Sequence, residues 1–489
     1  MTSPTRYMHN PTMVADQLHA FRTWDHDANL PDVISRADFC ARPDLVAAVL
    51  QSRHSLGRGG EPLLVLPYPK DDGTHRTTCL LDPFDDVGYA LLVSNIGHLV
   101  EAALPSDRVV QSTRFHAVGQ AYGAEGWRRA SLRRGSTVDQ SSTSGVGGFD
   151  VRNHFDSVSP DLIRLVLHTC RVSDGASEEV ARFIEQCGAW PSSPNGLPAG
   201  PMASALLGTV ALLPVDRLLR RLGVDYERWM DDFIVAAETE ARFLTLKESV
   251  ADLLRLNGQE LNASKDWYEE PNNSHQASLG DVGESDSETN EWGDPSISAL
   301  IDAIESSDPK RCRFVLGGLR ARVDESAVAL VAGSDQIWAI APKYAADYLL
   351  ACRTALAQEH LEVMSERCAT TPRQSSAAGI AHCARTLAHR RIPSELGKLL
   401  YEAAERISTG PYRAAAPFLY NAASVSKEKA RTRCERAIET ASAVSDVLSA
   451  RGLIAGLRYD TRSRRVEAGL KALARCRPDL APTVAWIGA

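Results

Sequence analysis

Hydrophobic positions along the chain change spacing several times, and each change marks an element. Near the N-terminus DLVAAVL has helical spacing, after an entry rich in Asp and Pro. EPLLVLPYPK and HRTTCLL then read as two strands joined by a DDG turn, whose Asp-Gly pair supplies the positive φ that a tight hairpin needs. Helical spacing returns over residues 87–103, followed by a basic run at 127–134 and a Ser/Gly/Thr-rich loop ending at Gly148. From there to about Lys265 helical and short strand patterns alternate, which predicts a mixed α/β body.

Residues 268–296 break this pattern. They hold eight acidic residues and no Lys or Arg among many Ser, Asn and Gly, so they cannot assemble a core and are expected to form a linker or mobile loop. Beyond them the pattern is almost wholly helical and Ala-rich, in stretches such as KYAADYLLACRTALA, ELGKLLYEAAERI and ARTRCERAIETASAVSDVLSA. Gly, Pro and Ser separate these stretches into hairpin-sized pairs without a strict period, as in a degenerate helical repeat. The expected organisation is a helical extension at 1–60, an α/β domain at 61–267, the acidic segment at 268–296 and an all-α domain at 297–489.

Length and composition agree with this division. At 489 residues the chain exceeds one compact core, and its 44% hydrophobic and 24% charged residues are ordinary for a soluble protein. The amino terminus has no apolar stretch that could serve as a signal peptide, and the longest near-continuous apolar run, Ala203 to Val215, is too short for a membrane span, so a cytoplasmic protein with no membrane partner is expected. The ten cysteines show no CxxC pair and the thirteen histidines no HExxH spacing, which leaves no zinc signature. The net charge of -8 is unevenly spread: residues 372–489 carry twenty Lys and Arg against ten Asp and Glu, or +10, so the rest carries -18. Arginines that merely solvate helix faces could give this asymmetry, and so could a polyanion-binding domain on an acidic body.

The chemistry-bearing residues are carboxylates in apolar strands. RWMDDFIVAA places Asp231 and Asp232 side by side within a strand-forming run. Burying two anions costs several kcal/mol each unless a cation compensates, whereas a surface hairpin turn would need no compensation. Upstream, GFDVRNHFDSVS sets Asp150 in a similar context, with Phe155 five residues on. Between them GLPAGPMASALL runs from a Gly/Pro loop, with Ala199 and Gly200, into a helix of small residues, and LNASK with Lys265 follows. Carboxylates converging from separate strands suit two-metal phosphoryl transfer, in which two Mg²⁺ ions sit roughly 3.5–4 Å apart. Lys70 and Arg76, flanking the DDG turn, are the expected triphosphate contacts. Asp216 is expected to cap or pack its helix.

These four segments, in this order, resemble reverse transcriptases over about residues 62–265. FDVRNHFD looks like motif A, GLPAGP like motif B, WMDD like the YxDD of motif C and LNASK like motif D. The resemblance implies an α+β fold, with right-hand polymerase fingers and palm followed by an all-α, HEAT-like repeat domain. It implies metal ligation by Asp150, Asp231 and Asp232, and a steric gate at Phe155 that excludes a ribose 2′ hydroxyl, hence dNTP substrates. Two positions depart from the common pattern: Ala199 stands where Gln is usual before the second Gly of motif B, and Trp229 where Tyr is usual in motif C. With that motif B loop and a helical C-terminal domain in place of thumb or RNase H, the chain is similar to bacterial abortive-infection and defence-associated reverse transcriptases. That closer resemblance implies anti-phage defence and homo-oligomerisation. It also implies DNA synthesis that can dispense with a conventional template and start from a protein hydroxyl, Tyr401, Tyr412, Tyr420 and Tyr459 being among the candidates. The basic helical domain would hold single-stranded DNA product or RNA template through phosphates. The competing expectations are a non-catalytic RNA-binding scaffold or sensor and, disfavoured by Phe155, an RNA-synthesising polymerase.

Overall fold

The computed structural model describes residues 10–27, 32–55, 62–70, 75–115, 145–188, 196–270, 294–370, 377–410, 412–459 and 463–488. The basic run 127–134 and most of the acidic segment 268–296 lie outside them. Mostly helical, the chain divides into two compact units, each drawing on several stretches of sequence. One lies within residues 1–27, 53–62 and 85–288, the other within 28–52, 63–84 and 289–489.

The described residues contain six strands in two sheets. β1 (Pro62–Pro69) and β2 (His75–Leu81) pair with each other in the second unit. β3 (Gly145–Asp150), β4 (Tyr226–Trp229), β5 (Asp232–Ala237) and β6 (Trp267–Glu269) form a four-stranded sheet in the first unit, ordered β4-β5-β3-β6 and antiparallel throughout. β6 thus carries this sheet past Lys265 to Glu269, into the start of the acidic segment.

Alternation explains how the sheet is covered. Phe233, Val235 and Ala237 of β5 are buried on one face beside Phe149 of β3. Against them pack Val215 and Leu219 of a helix at Leu213–Arg221, and Phe243, Leu246, Val250 and Leu254 of a helix at Glu240–Leu256. The last four recur at three- and four-residue intervals, one stripe of a helix whose first turn is capped by Thr239 accepting from the Arg242 amide. Gly147 and Gly148 make room on β3: a Cβ on Gly147 would fall 2.4 Å from the Phe243 ring, and one on Gly148 2.2 Å from Trp267 Nε1. The helix at Met202–Ala211 is buried along its whole length. Residues 202–221 are long and apolar enough to cross a membrane, but 83% of that stretch's most apolar window lies inside the protein, as for a core helix.

In the second unit every described element from Ile297 onward is an α- or 3₁₀-helix. Ala416–Ser424 is central to it, packed against Ala377–Ala388, Ser394–Ile407 and Val447–Ala455. Alanines at 403, 404, 415, 416, 422 and 423 are buried there, and their small side chains let the helices approach closely. Val33, Leu64 and Leu66 join the same core, so the strand β1 and part of the N-terminal stretch belong to the helical unit.

Candidate active site

The register of the central strands brings the predicted carboxylates together. Asp150 at the end of β3 pairs with Asp232 at the start of β5, directly across the antiparallel ladder. Phe149 and Phe233, the preceding pair, stack with ring centroids 5.1 Å apart. Because successive side chains alternate between faces, the phenylalanines enter the core and the two aspartates share the opposite face. Asp150 is buried and Asp232 half-buried, both at one edge of the sheet.

Asp231 lies in the turn between β4 and β5. Trp229 pairs with Asp232, so Met230 and Asp231 alone make the connection. Met230 holds φ at 52°, the left-handed region, at a cost of roughly 1–2 kcal/mol for a residue other than glycine. A buried network lies beneath this turn. Arg228 donates from Nε to Asp216 Oδ1 at 2.8 Å and from Nη2 to Asp216 Oδ2 at 2.7 Å; neither side chain has any exposure. Arg228 Nη2 also reaches the Thr209 carbonyl at 2.8 Å, and Nη1 the Met230 carbonyl at 2.9 Å. The Tyr226 hydroxyl donates to Asp216 Oδ1 at 3.0 Å. Arg228 is further tied by its backbone to residues 109–111, its amide donating to the Val109 carbonyl at 2.8 Å.

The segment containing LNASK closes on Asp150 from the other side. The Asn262 amide donates to the Asp150 carbonyl at 2.8 Å, Asn262 Nδ2 to Oδ1 at 3.3 Å, and Lys265 Nζ to Oδ2 at 3.0 Å. Just beyond, the buried His154 links this strand to the Met202–Ala211 helix, with Nε2 2.9 Å from the Gly208 carbonyl and Nδ1 3.3 Å from Gln259 Nε2. Burial holds His154 below the usual histidine range, which keeps it neutral at pH 7. Phe155 packs between the loop and that helix: its carbonyl accepts from the Leu197 amide at 2.9 Å, and its ring would lie 3.4 Å from a Cβ on Gly208.

Electrostatics at the edge follow from crowding. The Asp232 carboxyl is pushed up to about 7, first by burial, then by the Asp231 charge and by its hydrogen bond with Asp150. Burial would lower Lys265, but the hydrogen bond to Asp150 and the charges of Asp150, Asp232 and Asp231 outweigh it and raise the ammonium above its ordinary range. All three carboxylates are hard oxygen donors of the kind a divalent cation takes. They do not form a ready-made cage: among the described residues no group of three or more His, Cys, Asp or Glu side chains is arranged to hold a metal ion.

The other predicted residues fall in different places. Ala199 is buried, and Gly200 has φ 128°, a conformation that L side chains rarely adopt. Lys70 and Arg76 belong to the second unit, and residues 71–74 between them lie outside the described residues. Asp216, read from sequence as a capping or packing residue, is the buried partner of Arg228. Arg228, Asn262, His154 and Gln259 were not singled out from sequence. For Arg228 a signal was present, a lone cation in the apolar run before the paired aspartates.

No family model matches the chain, and no curated protein matches it. Among solved structures, the chain is similar to apo telomerase from Candida tropicalis, at 11% identity and a TM-score of 0.35, covering 78% of this chain and 69% of that one. It is also similar to telomerase from Candida albicans in complex with a fragment of telomeric RNA, at 10% identity and a TM-score of 0.32, covering 88% of this chain and 67% of that one.

Proposed function

We propose that this chain is a Mg²⁺-dependent DNA polymerase of reverse-transcriptase type, with its catalytic site at Asp150, Asp231 and Asp232. The observation that carries the proposal is the register: Asp150 faces Asp232 across two central strands, and Asp231 occupies the adjoining turn. Burial first, and then the charge of Asp231, raise the Asp232 carboxyl, and an arrangement so costly suits a site for divalent cations. When bound, two such ions make the attacking hydroxyl a better nucleophile and offset charge on the triphosphate. Asp150, Asp231 and Asp232 would hold them, and Lys70 and Arg76 are retained as proposed triphosphate contacts.

Phe155 is the proposed sugar gate, set in place by the Leu197 amide and by the space that Gly208 leaves. Replacing Phe155 by Ala is expected to increase ribonucleotide use relative to deoxynucleotide use by about 10-fold or more, since removing a steric block recovers roughly 1–3 kcal/mol of discrimination. Incorporation from paired dNTP and NTP reactions measures this, and an unchanged ratio removes the gate.

Lys265 has two proposed roles that one substitution separates. Its ammonium sits on Asp150 Oδ2 and competes with any cation there, while during turnover it offsets or protonates the leaving pyrophosphate. Lys265→Ala is therefore expected to tighten Mn²⁺ binding about 5-fold, for loss of roughly 1 kcal/mol of competing charge interaction. It should also slow incorporation about 100-fold or more, the usual contribution of a general acid. Weaker Mn²⁺ binding together with unchanged incorporation would contradict both roles.

The proposed setting is anti-phage defence, with synthesis that is template-independent and protein-primed, in a homo-oligomer. It is supported by Ala199 in the motif B loop and by the helical unit that follows the palm-like sheet. The basic stretch 372–489 is the proposed contact for single-stranded DNA or RNA phosphates. The alternative is a scaffold that binds RNA without catalysis. Assays of labelled nucleotide incorporation separate the two.

A further inference from the structure

We propose that Arg228 is a positioning residue that sets the orientation of the Met230–Asp231 turn, and that Asp216 is present to hold Arg228 for this task. The inference rests on the carboxylate site proposed above and assigns it a support that the carboxylates cannot supply themselves. The Met230 carbonyl and the Asp231 amide belong to one planar peptide unit. Arg228 Nη1 donates to that carbonyl at 2.9 Å, so it fixes the plane from which the Asp231 side chain departs. The same guanidinium is fixed in turn by three hydrogen bonds, to both Asp216 oxygens and to the Thr209 carbonyl. Asp216 lies on the buried face of the helix Leu213–Arg221 and Thr209 on the wholly buried helix Met202–Ala211, so the turn is referred to the interior rather than to its own two strands.

A stability role alone does not account for this arrangement. A fully buried ion pair gains little over well-packed apolar residues of similar volume, because both charges must be desolvated. An apolar pair would fill the same space but could not reach the Met230 carbonyl. That carbonyl belongs to Met230, which holds an unfavourable backbone region, with φ at 52° where glycine would be at ease, so the conformation needs an external hold. Lysine would keep the charge yet lose the planar fork that engages Asp216 and Met230 together.

The test compares the full-length parent with Arg228→Met/Asp216→Leu, which removes both charges at once, and with Arg228→Lys. Three readouts are taken: thermal unfolding, hydrogen–deuterium exchange of peptides covering residues 226–237, and Mn²⁺ binding followed by electron paramagnetic resonance without nucleotide. The expected result is a folded double variant with a midpoint near the parent's, at least 10-fold faster exchange confined to the turn, and Mn²⁺ binding weakened about 10–100-fold, as when outer partners of metal ligands are removed. Exchange and Mn²⁺ affinity both within twofold of the parent, in a folded variant, would overturn the proposal. Should the double variant fail to fold, Arg228→Lys decides by the same two readouts. If the parent itself binds no Mn²⁺, the metal reading of the carboxylates fails, while turn exchange still decides whether Arg228 positions the turn.

Discussion

Replacing Asp231 and Asp232 together by alanine is expected to abolish nucleotide incorporation while leaving the protein folded. Losing the carboxylates proposed to hold the cations should remove several kcal/mol of transition-state stabilisation, which corresponds to a fall of at least about 10³-fold. The fold should not suffer, because the substitution removes like charges forced together at a sheet edge. The pH dependence carries the sign of this effect. Asp232 binds its proton more readily folded than unfolded, its carboxyl moving from 3.8 to about 7. Its contribution therefore favours the folded state at low pH and is lost as the pH rises through about 7. The parent should lose stability from this source between about pH 4 and 7, and the double variant should not. Incorporation assays and thermal unfolding at several pH values check both parts; synthesis retained by the folded double variant would dismiss these residues as the catalytic site.

The second large effect is expected far from the carboxylates. Arg451, fully buried in the helix Val447–Ala455, donates to Asp32 at 2.7 Å and to Asp38 at 2.7 and 2.9 Å. Thr483 adds a hydrogen bond to Asp38 at 2.6 Å. Burial alone would raise the Asp32 carboxyl, but Arg451, then Arg36, hold it at about 2. Arg451→Ala leaves two buried carboxylates without their cation, a loss of about 3–5 kcal/mol, and should lower the unfolding midpoint of the helical unit by roughly 10 °C. Asp32→Asn/Asp38→Asn/Arg451→Met, which removes all three charges, should recover most of it. Since Asp32 is lowered on folding, the stability it contributes is present above pH 4 and is lost as the pH falls through about 2. Urea or thermal denaturation of the three proteins decides; a single alanine variant as stable as the parent would show that this cluster does not anchor the N-terminal stretch.

Much of the carboxylate edge was legible because it rests on local pattern. Alternation in DFIVAA, the two glycines before Phe149 and the apolar context of each aspartate are properties of short windows, and they place Asp150 and Asp232 on strand ends, with Asp231 beside them, without any long-range knowledge. LNASK was singled out too, although only the structure shows that both Asn262 and Lys265 grip the Asp150 carboxylate. What escaped the sequence depends on pairings across large separations. Asp32 and Asp38 sit more than four hundred positions from Arg451, and no periodicity announces that they share one guanidinium. For the same reason residues 28–52 and 63–84 looked like parts of an N-terminal extension and a fingers hairpin, whereas they share a core with the helices beyond residue 297. Arg228 was visible as a charge in an apolar strand, but its partner Asp216 lies on a helix twelve positions upstream and looked like an ordinary capping residue.

We propose that this chain joins nucleotides at the Asp150–Asp231–Asp232 edge. The most direct measurement incubates purified protein with Mg²⁺ and each labelled dNTP or NTP, with and without primer-template, and resolves the products on denaturing gels before and after protease. Mg²⁺-dependent incorporation from dNTPs is expected, present without added template and shifted in mobility by protease. Incorporation only on primer-template would retain the polymerase and contradict the template-independent, protein-primed mode, and no incorporation from any nucleotide under any condition would contradict the claim itself.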